Sequence, residues 1–251
     1  MQHPSLFKRL YKKPKQKNMK SRVILLLLLT GLGIQTINAQ VTRKFNQTGF
    51  TGIKNSTSAD VYITQADAFS VEVTAKENVF KYLEIYVENN ILHCKSKGRP
   101  NFWGNDWEGA RINISIPNIE LLSINGSGNM IIETPINSTE LAFAINGSGD
   151  IVSKSISAKT LKASINGSGD IEVKDKSNIE NVEVRINGSG DVNLAKVDSE
   201  NANVRINGSG DVAITCNKNF NARSNGSGDI ILYGKAMVDA KINGSGELIR
   251  K

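Results

Sequence analysis

Five aspartates hold the same place in five consecutive repeats: Asp150, Asp170, Asp191, Asp211 and Asp229. Asn129 takes that place one repeat earlier and Glu247 one repeat later. If the repeats stack as strands, neighbouring carboxylates lie about 5 Å apart. Like charges at that distance repel by about 1 kcal/mol per pair in water. Two kinds of chemistry would offset this. Each Asp can accept hydrogen bonds from backbone N–H groups of its turn, as Asp does in turns generally. Alternatively, Ca²⁺, which takes oxygen ligands, can bridge adjacent rungs. The first is the plainer reading, because one carboxylate per repeat makes a poor cage. Apart from Ca²⁺ in that alternative, no cofactor is implied.

A second set of candidates lies in Gly98–Gly109. Trp103 and Trp107, the two tryptophans of the chain, stand there beside Asn101 and Asp106 in a Gly/Pro/Asn-rich stretch that reads as a loop. Aromatic faces next to amides and carboxylates can stack on and hydrogen-bond sugar rings, so Asn101, Trp103, Asp106 and Trp107 are candidate ligand contacts. The competing reading is that the two indoles plug the end of the core. Catalytic sets are hard to assemble. His3 and His93 are the chain's histidines, and no zinc set or Ser-His-Asp arrangement can be built convincingly. The carboxylates recur repeat after repeat instead of forming one isolated pair, which argues against a glycan-cleaving enzyme. The sequence reads as a noncatalytic protein.

The elements that would carry these residues follow from one tetrapeptide. Asn-Gly-Ser-Gly begins at Asn125, Asn146, Asn166, Asn187, Asn207, Asn225 and Asn243, at intervals of 21, 20, 21, 20, 18 and 18 residues. A fixed period near 20 is the mark of a solenoid. Before each tetrapeptide apolar and polar residues alternate, as in Val182, Val184, Ile186 against Glu183 and Arg185. Alternation resumes after it, as in Val192 and Leu194. Period two means strand. The expected fold is all-β, a parallel β-helix or β-solenoid with about 20 residues per coil, Asn-Gly-Ser-Gly corners and no helix of note. Glycine suits a corner with close backbone approach. The corner Asn can bond to backbone or to the Asn one coil away. Glycans on all seven sequons would crowd each other at one corner. The match to calcium-binding nonapeptide rolls is weak, because the period is near 20 and the Gly-Gly is missing.

Residues 1–39 read as a signal peptide: Lys20 and Arg22, the apolar run Val23–Leu29, and cleavage after Ala39. Met19 starts an ordinary signal by itself, so residues 1–18 can be a misassigned start. The run is too short to span a bilayer, so no membrane span is expected after cleavage. The net charge is +7, yet residues 1–39 hold eight basic residues and no acid, leaving about −1 for the remainder. The basic balance therefore belongs to the leader, and nucleic acid is not an expected partner. Residues 40–120 are β-like without the tetrapeptide, with Asn89-Asn90 as a hairpin turn, and read as a cap packed on or continuous with the repeats of 121–251. Cys94 and Cys216 read as two separate buried thiols.

The corners, four of them within Ile-Asn-Gly-Ser-Gly-Asp beginning at Ile145, Ile165, Ile186 and Ile206, resemble the auto-transporter adhesin head GIN domain family. The opening Phe50-Thr51-Gly52-Ile53, Asp60-Val61-Tyr62-Ile63 and Val71-Glu72-Val73 is also similar to the start of that family. The resemblance spans about residues 45–250. It implies a secreted β-helical protein of a Gram-negative bacterium with an adhesive role and no accepted catalytic residues. The expected function is that of an exported surface or periplasmic protein, in the periplasm, on the outer membrane or outside the cell. Its partner would be a polysaccharide or another surface macromolecule. The alternatives are a structural or assembly module without ligand and, less favoured, a polysaccharide-processing enzyme.

Overall fold

The computed structural model describes residues 40–98 and 107–251. The signal-peptide reading of 1–39, and Asn101, Trp103 and Asp106, lie outside the described residues. The first strands are β1 (Gln40–Lys44), β2 (Gly52–Ser56), β3 (Asp60–Gln65), β4 (Ser70–Lys76), β5 (Leu83–Glu88), β6 (Ile91–Ser96) and β7 (Arg111–Ile116). The repeats follow as β8 (Leu121–Ile124), β9 (Met130–Ile132), β10 (Ile136–Ile145), β11 (Ile151–Ser153), β12 (Ile156–Ile165), β13 (Ile171–Val173) and β14 (Ser177–Gly188). Next come β15 (Val192–Gly208), β16 (Val212–Gly226), β17 (Ile230–Tyr233), β18 (Met237–Gly244) and β19 (Leu248–Arg250). The chain is almost entirely β, a solenoid of about six turns spaced about 20 residues apart, as the tetrapeptide predicts.

Each coil contributes to parallel ladders. A long ladder stacks β8 and the later halves of β10, β12, β14, β15 and β16, and ends on β18. Beyond the Asn-Gly-Ser-Gly corner a second ladder stacks β9, β11, β13, the starts of β15 and β16, then β17 and β19. A short third ladder pairs Ile136–Ser138 with Ile156–Ala158, and those in turn with later coils. The chain then bends back into the long ladder.

Inward residues stack in columns, and volume is balanced between neighbours. Phe143 lies between Leu122 and Ala163 in register, while Phe220 stacks on Ala202 and shares its strand with Ala222. Both phenylalanines are 1% exposed. Alternating large and small side chains between rungs keeps the interior close-packed. The Ile145, Ile165, Ile186, Ile206 column is broken at Ser224, which is buried with an unpartnered hydroxyl.

The solenoid begins before the first tetrapeptide. β2 pairs in parallel with β8, and β3 with β9, so residues 52–65 form a coil in register with the repeats. Its corner, Thr57-Ser58-Ala59, lies under Gly126 and Gly128. The third ladder has no strand in that coil, and the Gln65 side chain stands in for one: its Nε2 donates to the Asn137 carbonyl at 3.0 Å and its Oε1 accepts from the Asn137 N–H at 2.7 Å. Residues 66–98 and 107–120 then cover the first end of the solenoid. β6 and β7 add one more parallel rung, while β5, β4 and β1 pair antiparallel at the edges. The β5–β6 hairpin turns at Asn89 and Asn90, with φ of 50° and 60°, where the sequence places it. Two positive-φ residues are what a two-residue hairpin loop of the primed kind needs.

Candidate functional site

The corners explain themselves from backbone contact. A Cβ on Gly147 would sit 2.2 Å from the Gly126 carbonyl oxygen, and a Cβ on Gly149 2.3 Å from that of Gly128. No side chain larger than hydrogen fits between two coils that hydrogen-bond at this corner. The Asn of each corner completes the stack. Asn166 Nδ2 donates to Asn146 Oδ1 at 3.0 Å, Asn187 to Asn166 at 2.9 Å, Asn207 to Asn187 at 3.0 Å, Asn225 to Asn207 at 3.1 Å and Asn243 to Asn225 at 2.9 Å.

The aspartate column follows the same logic. The N–H of Asp170 donates to Asp150 Oδ1 at 2.9 Å, Asp191 to Asp170 at 2.8 Å, Asp211 to Asp191 at 2.7 Å and Asp229 to Asp211 at 2.7 Å. Asn129 supplies the same acceptor to Asp150, and Asp229 supplies it to Glu247. One carboxylate oxygen per coil is thus engaged by the backbone of the next. Among the described residues, no group of three or more His, Cys, Asp or Glu side chains is placed to hold a metal.

Of the four loop candidates, Trp107 is described. It is 7% exposed and packs in the hydrophobic core. His93 stacks on Tyr86, ring centroids 4.9 Å apart and nearly parallel, at the outer surface of the β5–β6 hairpin. Cys94 and Cys216 are free and buried. Burial pushes the Cys94 thiol up to about 12, because a thiolate there would lose its hydration.

Two surface concavities adjoin the bend between the third and long ladders. One groove, about 520 Å³, is lined by Thr160, Asn181, Asn201, Asn203, Phe220 and Asn221 among others. A second, about 640 Å³, includes Glu120, Ser138, Glu140 and Lys162 and shares Thr160 with the first. Together they form one trough running across successive coils.

Register fixes what the trough and its flank present. Thr160, Asn181, Asn201 and Asn219 form one outward column. Lys162, Glu183, Asn203, Asn221 and Asp239 form the next, and Ser164, Arg185, Arg205, Arg223 and Lys241 the one after. Asn201 Nδ2 donates to Asn181 Oδ1 at 3.0 Å, and Asn219 Nδ2 to Asn201 Oδ1 at 2.8 Å. An amide spends one N–H and one lone pair in such a ladder and keeps one of each for a ligand. Asn203 Oδ1 has no hydrogen-bond partner. The sequence reading missed these residues because they are the polar, outward members of an alternation read for its apolar, inward ones. The recurrence of Asn181, Asn201 and Asn219 at 20 and 18 residues was the available signal.

A stack of about 20-residue coils with invariant glycine corners can now be set beside known proteins. The family model described as "Putative auto-transporter adhesin, head GIN domain" matches residues 49–236. The chain belongs to this family. Solved structures share the fold. A "putative adhesin" of Bacteroides fragilis is 19% identical with a TM-score of 0.79, covering 87% of this chain and 100% of that one. A "putative lipid binding protein" of Parabacteroides distasonis is 25% identical with a TM-score of 0.69, covering 84% and 96%. A "putative adhesin" of Parabacteroides merdae is 22% identical with a TM-score of 0.67, also covering 84% and 96%. Among curated proteins, nothing matches the chain. The family and most of these neighbours carry adhesin names, which points to surface molecules as partners and to a surface or extracellular place of action. No helix among the described residues is long and apolar enough to cross a membrane.

Proposed function

We propose that this head GIN domain is an exported, noncatalytic adhesin module that holds an extended polysaccharide along the trough beside its long ladder. The observation that carries the reading is the pair of grooves joined at Thr160, which together cross coil after coil. A linear polymer suits a linear repeat, because three successive coils offer the same amide donor and acceptor, at Asn181, Asn201 and Asn219, to successive units. Rigid sheet positions hold these groups without an ordering cost on binding.

The test is a glycan array probed with purified protein, wild type against Asn201→Ala. Binding without turnover that weakens in the variant supports the module. Turnover of a bound glycan would convert the reading to an enzyme. Cell fractionation with protease shaving tests the location: a protein found wholly inside the periplasm would not contact a surface outside the cell.

An assembly module is the second reading. The last coil favours it, since Met237 is 74% and Val238 40% exposed along the open side of β18, and an uncovered strand edge can pair with another chain. Concentration-dependent association in sedimentation, with no glycan bound, would select it.

A further inference from the structure

We propose that the polymer taken by this surface is acidic, a uronic-acid polysaccharide, and that its carboxylates lie over the cation column Arg185, Arg205, Arg223 and Lys241, which flanks the trough. This rests on the polysaccharide reading above and names the class of substrate for it. The register stacks these four residues one per coil on the outward face of the long ladder. Their backbones are about 4.8 Å apart, the strand spacing. Like charges so placed repel, and the fold does not require them. The same outward position carries Ala144 and Ser164 in the two preceding coils.

Neighbouring acids relieve the repulsion in part. Arg185 pairs with Glu183, and Arg223 with Asp239 at 3.0 Å. Arg205 and Lys241 have no ion pair among the described residues, and both are exposed. Residues 40–251 carry about −1 in all, so this stripe is a local concentration of positive charge.

The spacing of the column sets the periodicity of its ligand. A pyranose bearing one carboxylate is about as long as the strand spacing, and in an extended glycan successive units turn their carboxylates to opposite sides, so that a carboxylate faces the column at every second rung, the separation of the unpaired Arg205 and Lys241. Guanidinium groups take carboxylates in a two-bond fork. On one flank stand Asn203 and Asn221. On the other runs the amide ladder Asn187, Asn207, Asn225, Asn243. Both offer hydrogen-bond groups for sugar hydroxyls. A single-stranded nucleic acid is held best where aromatic platforms stack its bases, and none of the columns named on this face contains an aromatic residue.

Biolayer interferometry with immobilised polygalacturonate, dextran as neutral polymer and single-stranded DNA as a second polyanion tests the proposal. Polygalacturonate should bind, and more weakly as salt rises, since exposed charges are screened. Arg205→Gln should weaken it about two- to fivefold, as expected for an exposed ion pair. Arg205→Gln with Lys241→Gln should weaken it about tenfold. Lys154→Gln, an exposed cation away from the column, should leave it unchanged, with melting curves checking that every variant is folded. Polygalacturonate binding indifferent to the column variants overturns the proposal, as does equal binding of DNA. Dextran binding as tightly as polygalacturonate, with the variants silent, overturns the acidic specificity and leaves the polysaccharide reading standing. Binding of no polysaccharide here or on the array overturns both.

Discussion

Gly167 is the place to test whether backbone contact dictates the tetrapeptide. It sits between Gly147 in the coil before and Gly188 in the coil after. A Cβ on residue 167 would lie 2.1 Å from the Gly147 carbonyl oxygen and 3.1 Å from its carbonyl carbon. Carbon and oxygen in contact sit at about 3.3 Å, so Gly167→Ala must part the two coils by about 1 Å. The hydrogen bonds of the corner span the same gap. Ser168 N–H donates to the Gly147 carbonyl at 3.1 Å, and Asn166 Nδ2 to Asn146 Oδ1 at 3.0 Å. Another ångström takes both out of bonding range. Overpacking costs about 1–3 kcal/mol, and the two weakened bonds about 1 kcal/mol each. Alanine also stiffens the unfolded chain, which returns about 0.4–1 kcal/mol. The net loss is about 2–4 kcal/mol, or a fall in Tm of about 5–15 °C for a domain of this size. Thermal unfolding followed by circular dichroism measures it. Ser168→Ala is the control, because that side chain is exposed and its loss should stay within about 0.5 kcal/mol. Melting of Gly167→Ala within the margin of Ser168→Ala would show that the corner yields, and the steric account of the repeat would be wrong.

Three further expectations follow from the same geometry. Asp191→Ala leaves the Asp211 N–H without its 2.7 Å acceptor and should cost about 1 kcal/mol, whereas Asp191→Asn keeps the oxygen, sheds a like charge and should melt at or above wild type; a Tm that climbs with millimolar Ca²⁺ and falls with chelator would restore the cation ladder instead. Cys94 should resist thiol reagents at pH 8 until denaturant is added. Its folded pKa of about 12 lies above the ordinary thiol value of 9.0, so the folded state holds the proton more tightly, and this contribution to stability is full below pH 9 and is lost as pH rises from there toward 12. Hydrogen exchange should be fastest in β18 and β19, where the last coil is covered on one side only, and slowest in β12 and β14; uniform protection along the solenoid would refute that gradient.

Most of the fold was legible because one coil cannot bury its apolar face alone, so sequence period and structural period must coincide. The aspartate and asparagine columns were legible for the same reason, down to the choice of backbone N–H as partner of Asp. The coil at 52–65 was hidden because Thr57-Ser58-Ala59 fills the corner without glycine. It can do so as the lower partner, since the glycines that must yield space are Gly126 and Gly128 above it. The Gln65 fork was equally hidden, because a side chain doing the work of a strand leaves no periodic mark. Ser224 interrupts an isoleucine column in plain sight, yet its sequence gives no sign of whether a partner awaits the hydroxyl. The trough was missed for a different reason. It is lined by outward polar positions of the long ladder, whose residues change from coil to coil while their register does not.

These constraints divide the surface into two kinds of position. At the corners and the inward columns, the neighbouring coil dictates the residue, and a change is felt as lost stability. On the outward columns of the long ladder the neighbour dictates only the spacing. Thr160 can be followed by Asn181, and Ser164 by Arg185, with the backbone register unchanged. Recognition can therefore be altered there one rung at a time without disturbing the stack. The spacing itself cannot be altered, because it is set by backbone hydrogen bonds. A ligand that contacts one group per rung along this face meets a repeat of about 4.8 Å, and an extended polymer is proposed on the strength of that spacing.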